Sequence, residues 1–328
     1  MPFKVGIDVG NYDTKTQHTK TPSGYTTYDI KPALASEYLL YNGKYYAPSV
    51  NRFEYVKDKT ATDQALILTL FGIAKEIVYS ATNQIEGKHT RDAIQSIING
   101  IKEISIGVGL PVADFMHYKD KTVDYYYEKI GKGSFELEYN GFHMNLLMTS
   151  CSAFPQDIMP VAANKSCEIA QTYKKYLIIG IGGQTVDVIP IVEKNTPTGI
   201  KKEPVMDSCK SLREGTRRLF YDIIGKIEMN YGYTIGEDTV EEVLMGEATP
   251  LPDDIEVFIR EAAKQHADKV INKCVQSGIN FIEYPVVFFG GGGLLLRPFL
   301  ENNTQIHKSE FLMDVNGNAV FFASRIPG

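Results

Sequence analysis

Three glycine-rich turns, each at the end of an apolar strand, constrain this chain more than any other feature of its sequence. Glycine lets the backbone adopt positive φ and lets a ligand approach the main-chain amides closely. Successive N–H groups in such turns form concavities that bind anions. We therefore expect two of the turns to hold a polyphosphate and the third to leave room for a nucleoside base. The strands and their turns are KVGIDV into Asp8-Val9-Gly10-Asn11, YLII into Gly180-Ile181-Gly182-Gly183-Gln184-Thr185, and PVVFF into Gly290-Gly291-Gly292-Gly293.

A strand–turn–strand unit occurs twice. The first two turns begin at Asp8 and Gly180, 172 positions apart in a chain of 328 residues. A repeat at about half the chain length predicts two similar α/β domains rather than a solenoid. The remaining patterns predict hairpins around Asn42-Gly43 and Asn140-Gly141, and helices over 62–80, 158–173, 217–230, 254–276 and 294–300.

Two common nucleotide-binding motifs are excluded. The sequence has no GxxxxGK[ST] segment, so a P-loop enzyme is not expected. The first two turns lead into strands and not into helices, which argues against a dinucleotide-binding βαβ unit.

Composition and charge indicate which partners and which cellular compartment are expected. The net charge of −6 argues against direct, non-specific DNA binding. The four cysteines form no CxxC pair and are expected to be free, buried thiols. The N-terminus lacks an apolar stretch of signal-peptide length, and the longest apolar run, Val286–Leu296, is too short to span a bilayer. These features predict a cytoplasmic protein without membrane contact.

The three turns together resemble the two phosphate hairpins and the adenosine turn of the actin/Hsp70/sugar-kinase superfamily. Within it, the chain is most similar to bacterial actin-like proteins of the ParM type, which segregate plasmids. The resemblance implies an α/β actin-like fold, with two RNase H-like α/β domains around a nucleotide cleft. Domain I would cover 1–160, with an insertion at about 30–95 and a returning segment at about 306–328, and domain II would cover 161–305.

The first turn resembles the pattern D-x-G-x-x-x-x-K. By this resemblance Asp8 would face a metal ion and its waters, the amides of Gly10 and Asn11 would bind phosphate oxygens, and Lys15 would meet the β- and γ-phosphates. Gln156 lies in a segment where the family places a Gln or Glu beside the attacking water. Asp157 is the alternative for that role, and it would also suit the start of the following helix as a cap.

The second turn resembles the pattern D-x-G-G-x-T-x-D. Gly182, Gly183, Gln184 and Thr185 would bind phosphate, and Asp187 would share the metal and catalytic roles. Gly180 stands where the pattern has its first Asp. This replacement is expected to affect hydrolysis more than nucleotide binding, because the turn amides remain.

Two further segments would contact the nucleoside. Gly215 and Thr216 resemble the entry of a helix, with Thr216 as N-cap, and Lys226 or Glu228 near its far end would contact the base or ribose. Gly290, Gly291, Gly292 and Gly293 would form the adenosine turn.

The resemblance implies a polymerising, Mg²⁺-dependent ATPase or GTPase. Its partners would be further copies of itself in a cytomotive filament and a DNA-binding adaptor of the ParR type, through which it would move plasmid or phage DNA. Two alternatives stay open: a small-molecule phosphotransferase of the sugar-kinase branch, and a slow-hydrolysing scaffold filament. The Asn-Asp acceptor motif of short sugar kinases is absent from the sequence.

Overall fold

The computed structural model describes residues 1–54, 56–158, 161, 164–197, 199–312 and 316–327. The chain divides into two compact units, Met1–Gln156 with Asn316–Gly328, and Asp157–Val315. The folding domains predicted from the sequence, with limits at 160 and about 306, stay a prediction.

Unit 1 contains a nine-stranded mixed sheet and four α-helices among its described residues. The strands are β1 (Phe3–Val9), β2 (Asp13–Lys15), β3 (Lys20–Pro22), β4 (Tyr25–Tyr28), β5 (Leu39–Tyr41), β6 (Lys44–Pro48), β7 (Glu103–Leu110), β8 (Ser134–Tyr139) and β9 (Phe142–Pro155). They lie in the order β3-β2-β1-β7-β9-β8-β5-β6-β4. The helices are α1 (Gln64–Asn83), α2 (Arg91–Gly100), α3 (Val112–Ile130) and α10 (Gly317–Arg325).

The centre of this sheet is apolar because helices cover it. Strands β1, β7 and β9 pair in parallel, and β1 packs against both α1 and α10. A Cβ atom at Gly6 of β1 would lie 1.9 Å from the Ala319 carbonyl oxygen of α10, so the close packing of this helix requires glycine there. Parallel strands covered in this way are typically apolar in their buried part, as residues 5–7 of β1 are.

Helix α1 is the core helix that the spacing of its leucines and isoleucines predicts. An 18-residue window of α1 has a mean hydropathy of 1.4, and by length and composition alone it would be able to cross a membrane. Because 72% of that window is buried inside the protein and residues 65–74 are buried all around the helix, its apolar composition is explained by the core of unit 1.

Both predicted hairpins are confirmed. Asn42 and Gly43 have φ angles of 47° and 74°, and Asn140 and Gly141 have φ angles of 48° and 82°. Two successive residues with positive φ are what a tight type I′ turn requires, and Asn-Gly meets this requirement at low cost.

Unit 2 contains a six-stranded sheet and six α-helices among its described residues. The strands are β10 (Lys175–Ile181), β11 (Val186–Thr196), β12 (Gly199–Pro204), β13 (Lys210–Leu212), β14 (Val286–Phe289) and β15 (Ser309–Leu312). The order is β12-β11-β10-β14-β15, and β13 pairs with β11. The helices are α4 (Glu168–Thr172), α5 (Thr216–Tyr231), α6 (Glu237–Met245), α7 (Asp253–Gln276), α8 (Gly291–Leu295) and α9 (Arg297–Leu300).

The helix predicted over 158–173 is wrong as a single element. Residues 159–160 and 162–163 lie outside the described residues, but Lys165 and Ser166 form a turn and α4 begins only at Glu168. Oδ1 of Asn164 accepts hydrogen bonds from both the amide and the hydroxyl of Ser166, at 2.9 and 2.6 Å. This local bonding satisfies the backbone without a helix, as Asn side chains often do.

Candidate functional site

The first glycine turn joins β1 to β2. Asp8 and Lys15 are cross-strand partners in this antiparallel pair, so their side chains project from the same face. The turn is closed by the Gly10 amide, which donates to the Asp8 carbonyl at 2.9 Å. A Cβ atom at Gly10 would lie 2.5 Å from the Asp13 carbonyl oxygen, so no other residue fits this turn without rearrangement.

The Asp8 carboxylate is oriented by two side-chain amides. Gln156 Nε2 donates to Asp8 Oδ1, and Asn318 Nδ2 donates to Asp8 Oδ2 at 3.1 Å. Gly109 makes room for the first contact, since a Cβ atom there would lie 2.9 Å from Gln156 Cγ. The structure therefore brings Gln156, a predicted site residue, directly to the first turn.

Asn318 was not predicted from the sequence. It is 5% exposed and lies at the start of α10, separated from Asp8 by 310 positions. No spacing in the sequence indicates a contact over that separation.

Two more side chains support the first turn. Ser23 Oγ donates to the Gly10 carbonyl at 2.6 Å, and the Lys59 ammonium group donates to the Val9 carbonyl. Lys59, which no sequence motif indicated, adds a positive charge beside the turn. A positive charge there favours an anionic ligand.

The second glycine turn joins β10 to β11, and these two strands stay paired up to the turn. Gly180 pairs with Asp187 and Ile181 pairs with Val186. The Gly182 amide closes the turn by donating to the Thr185 carbonyl at 2.9 Å. Thr185 Oγ1 also donates to Asp187 Oδ2 at 3.2 Å, which holds that carboxylate beside the turn.

The N-terminus of α5 binds the carbonyl groups of the second turn. The Thr216 amide donates to the Gly182 carbonyl at 3.0 Å, and the Arg217 amide donates to the Gly183 carbonyl at 2.8 Å. A Cβ atom at Gly215 would lie 2.4 Å from the Gly183 carbonyl carbon, so glycine permits this contact. The prediction of Thr216 as N-cap is wrong: Gly215 is the N-cap, and the turn carbonyls accept from the first helical amides in place of a capping hydroxyl.

The third glycine segment packs on the second turn within the same unit. A Cβ atom at Gly290 would lie 2.9 Å from the Ile181 carbonyl oxygen, and one at Gly292 would lie 2.5 Å from Ile181 Cγ2 and 2.8 Å from Thr216 Cγ2. These close approaches place the end of β14 against the end of β10 and the start of α5.

The prediction of a four-glycine turn followed by a helix from Leu294 is wrong. Gly290 has a φ of 90° and is the N-cap of α8, which begins at Gly291. Among the three helical glycines, only Gly292 is required by close packing. A Cβ atom at Gly291 would meet no atom within 4 Å, and one at Gly293 would be in ordinary contact with Phe288.

Lys226 and Glu228 are exposed on the second half of α5. At a rise of about 1.5 Å per residue, they lie roughly 15 Å along the axis from the start of that helix. The structure does not bring them to the glycine turns, and their contact with a base or ribose stays a prediction.

Asp157 lies in unit 2 and is directed at the second turn. Its Oδ2 atom is 2.2 Å from the position that a Cβ atom would take at Gly180. Its backbone is left-handed, with a φ of 65°. The amides that a capping carboxylate there would bind belong to residues 159 and 160, which lie outside the described residues, so the capping interpretation of Asp157 stays a prediction. The two neighbouring predicted residues, Gln156 and Asp157, contact different turns.

A buried ion cluster joins Glu214, in the segment just before α5, to α7. The fully buried Glu214 side chain forms ion pairs with Lys269, at 2.9 Å, and with Lys273. Burial acts to raise the pKa of Glu214, but hydrogen bonds from these lysines outweigh it and the pKa is lowered. His266 Nε2 lies 3.0 Å from the Glu214 carbonyl oxygen, and burial lowers the pKa of this imidazole.

Comparison with known proteins rests on structure, since no protein-family model and no curated protein matches the sequence. The archaeal actin homolog Ta0583 superposes with a TM-score of 0.71 at 18% identity, over 98% of each chain. The chain has an actin-like fold. A ParM from a 15-stranded filament of Clostridium botulinum gives a TM-score of 0.68 at 15% identity, over 99% of each chain.

A third structure with the actin-like fold holds a nucleotide. Bacillus thuringiensis ParM with ATP gives a TM-score of 0.61 at 12% identity, over 98% of this chain and 96% of the other. Coverage of nearly the whole chain in all three cases confirms the predicted α/β, ParM-like fold. The individual site residues stay predictions.

Proposed function

We propose that this chain is a nucleotide-dependent, polymerising actin-like ATPase or GTPase. The observation that carries the proposal is the first glycine hairpin, on which a carboxylate held by two amides, Asp8, stands opposite a lysine, Lys15. A glycine turn, a cation and an oriented carboxylate are the groups that phosphoryl transfer from a nucleotide requires. The actin-like fold supports the same function.

Each glycine hairpin has turn amides that would bind phosphate. In the first hairpin the Gly10 amide is bonded to the Asp8 carbonyl, so the Asn11 amide would bind phosphate, with Lys15 on the β- and γ-phosphates. In the second hairpin the Gly182 amide is bonded to the Thr185 carbonyl, so the amides of Gly183 and Gln184 would bind phosphate, with the Thr185 hydroxyl beside them. The packing of Gly290 and Gly292 against the end of β10 supports a nucleoside site next to the second hairpin.

Hydrolysis would depend on positioning and on charge neutralisation. Gln156 and Asp157 are the candidates for orienting the attacking water, and Asp187 would assist at the second turn. Lys15 and the turn amides would balance the charge that develops on the phosphates.

The residues fit a magnesium ion that is bound mainly through the nucleotide. Among the described residues, no group of three or more His, Cys, Asp or Glu side chains is placed to hold a metal ion. Mg²⁺ usually retains several waters and takes phosphate oxygens and one or two carboxylates. Asp8 and Asp187 would accept hydrogen bonds from its waters, and the bound ion would neutralise phosphate charge.

The proposed partners are further copies of this chain in a cytoplasmic filament. The similarity to ParM filament subunits over nearly the full chain supports self-association. A head-to-tail contact that does not close would generate the polymer. With a net charge of −6, plasmid or phage DNA would be moved through a basic, ParR-type adaptor and not by direct binding.

Right-angle light scattering tests the proposal. The purified chain is mixed with Mg²⁺ and either ATP, GTP or the matching diphosphate, and scattering and phosphate release are recorded together. We expect a rise with a triphosphate that decays as phosphate is released, and filaments in electron micrographs taken at the maximum.

The other outcomes separate the alternatives. A rise that persists without phosphate release would indicate a scaffold filament. Nucleotide binding without any rise, at any protein concentration, would contradict the polymerising function and favour a phosphotransferase. Absence of nucleotide binding would contradict the whole proposal.

A further inference from the structure

The carboxylate of Asp157 fills the space of a side chain that the second glycine turn lacks. We propose that Asp157 acts as the strand-end carboxylate of this turn and positions the attacking water, and that residue 180 is glycine in order to admit it. This inference rests on the proposed nucleotide hydrolysis and assigns one carboxylate within that site.

The space at position 180 is fully taken. A Cβ atom there would lie 2.2 Å from Oδ2, 2.9 Å from Cγ and 3.6 Å from Cβ of Asp157. The first two distances are below the 3.0 Å that real Cβ atoms essentially never go under. In the observed conformation of Asp157, its carboxylate and a side chain at position 180 therefore exclude each other.

The two hairpins of the chain are equivalent at this position. Asp8 is the penultimate residue of β1, and Gly180 is the penultimate residue of β10. Asp8 pairs across its hairpin with Lys15, and Gly180 pairs with Asp187. The first hairpin thus carries its carboxylate on the strand itself, whereas the second receives one from Asp157 at the same place.

The pairing also fixes which face the Asp157 carboxylate occupies. Cross-strand partners project their side chains to the same side of the sheet, so a side chain at position 180 would stand beside Asp187. Because Asp157 Oδ2 lies in that space, it shares the face of Asp187, to which the Thr185 hydroxyl donates.

The backbone at Asp157 is unusual in a way that points to function. The described non-glycine residues with positive φ are Asn42, Asn140 and Asp157. The two asparagines belong to tight hairpin turns, which require such angles. Asp157 lies in a turn that joins no hairpin, and sparsely populated conformations of this kind concentrate at functional sites.

In the proposed step, Asp157 is a positioning residue. Its carboxylate accepts a hydrogen bond from the water whose oxygen forms the new bond to the γ-phosphorus. The bond from phosphorus to the bridging oxygen breaks, and its electron pair stays with the nucleoside diphosphate. The water proton leaves with the inorganic phosphate, so Asp157 is unchanged.

The test moves the carboxylate from one residue to the other. Asp157→Asn is expected to lower the phosphate-release kcat at least about tenfold while the nucleotide Kd stays within about threefold. Gly180→Asp alone is expected to lower both kcat and the melting temperature, because two carboxylates compete for one space. The double variant Asp157→Gly/Gly180→Asp is expected to recover both, since glycine accepts the left-handed φ at 157 and the carboxylate returns at 180. Asp207→Asn, on an exposed aspartate, is the control.

Hydrolysis rates, read together with melting temperatures, distinguish the possible failures. Wild-type hydrolysis with an unaffected Asp157→Asn variant would overturn this inference and leave the proposed function standing. A double variant that is no more active than Asp157→Gly alone would do the same, even if its melting temperature recovers. If the wild type neither binds nor hydrolyses nucleotide, the proposed function fails, and this inference fails with it.

Discussion

The side-chain amide of Gln156 donates a hydrogen bond to Oδ1 of Asp8, although 148 positions separate the two residues. The contact joins the end of β9 to the end of β1, two strands that both border β7. With the second amide, from Asn318, it fixes the orientation of a carboxylate at the first glycine turn. Gln156 therefore has a defined position from which it orients the Asp8 carboxylate.

Replacement of Gln156 by alanine removes one of these two donors. We expect Gln156→Ala to lower the phosphate-release kcat by about ten- to a hundredfold, because misplacement of a reacting group by about 1 Å has effects of this size. The Kd for a fluorescent triphosphate is expected to stay within about threefold. Gln276→Ala, at an exposed glutamine of α7, serves as the matched control. A kcat equal to that of the wild type would contradict the assigned role.

Removal of the Lys15 side chain tests the first turn. We expect Lys15→Ala to weaken triphosphate binding at least about tenfold, because the β- and γ-phosphates lose the charge-assisted hydrogen bonds that the Lys15 ammonium group would donate. The loss is expected to be smaller for a monophosphate. Lys44→Ala, in the exposed hairpin of β5 and β6, is the control. Equal affinities for Lys15→Ala and wild type would refute the assignment of this turn as a phosphate site.

Local sequence rules predicted much of the fold, because turn chemistry and burial act over short distances. Asn42-Gly43 and Asn140-Gly141 specify their hairpins through φ angles that few other residues adopt. Helix α1 follows from the helical spacing of its leucines and isoleucines, although the structure buries residues 65–74 on all sides. The helix over 158–173 failed because the Asn164 side chain bonds to Ser166 and offers the backbone an alternative that a periodicity count does not include.

The sequence predicted the site residues that lie together on one turn. It did not predict those that the fold brings to the turn from distant parts of the chain. Gly10, Gly182 and their neighbours stand out through composition. Asn318 and Lys59 do not, because they reach the first turn from distant segments. Asp157 was predicted as a site residue, but its relation to Gly180 was not, because that relation depends on packing within unit 2.

The four cysteines are expected to be unreactive in the folded chain. All are free and buried, and burial raises the thiol pKa to about 12 at Cys151 and Cys274 and to about 11 at Cys167 and Cys209. Since the thiolate is the reactive form, fewer than one thiol per chain should react with a chromogenic disulfide reagent at pH 8 within minutes. All four should react in denaturant. Rapid reaction of one or more thiols in the native protein would contradict the buried placement.

The buried imidazole of His266 makes unit 2 sensitive to acid. Burial lowers the pKa of His266 in the folded protein below its usual value, so the folded chain takes up a proton less readily than the unfolded chain. Below about pH 6.5 the unfolded chain therefore binds more protons, and folding stability falls as the pH falls. The ion-paired Glu214 adds little in this range, because its pKa is lowered and it stays ionised.

Thermal unfolding of His266→Gln between pH 5.5 and 7.5 tests this prediction. The contribution of one histidine is at most about 1.4 kcal/mol per pH unit, and glutamine is able to donate to the Glu214 carbonyl without titrating. We expect the melting temperature of His266→Gln to fall less steeply below pH 6.5 than that of the wild type. His89→Gln, at an exposed histidine, should retain the wild-type slope. Identical slopes for His266→Gln and the wild type would show that other groups cause the acid sensitivity, because the substitution removes the only proton-binding group at position 266.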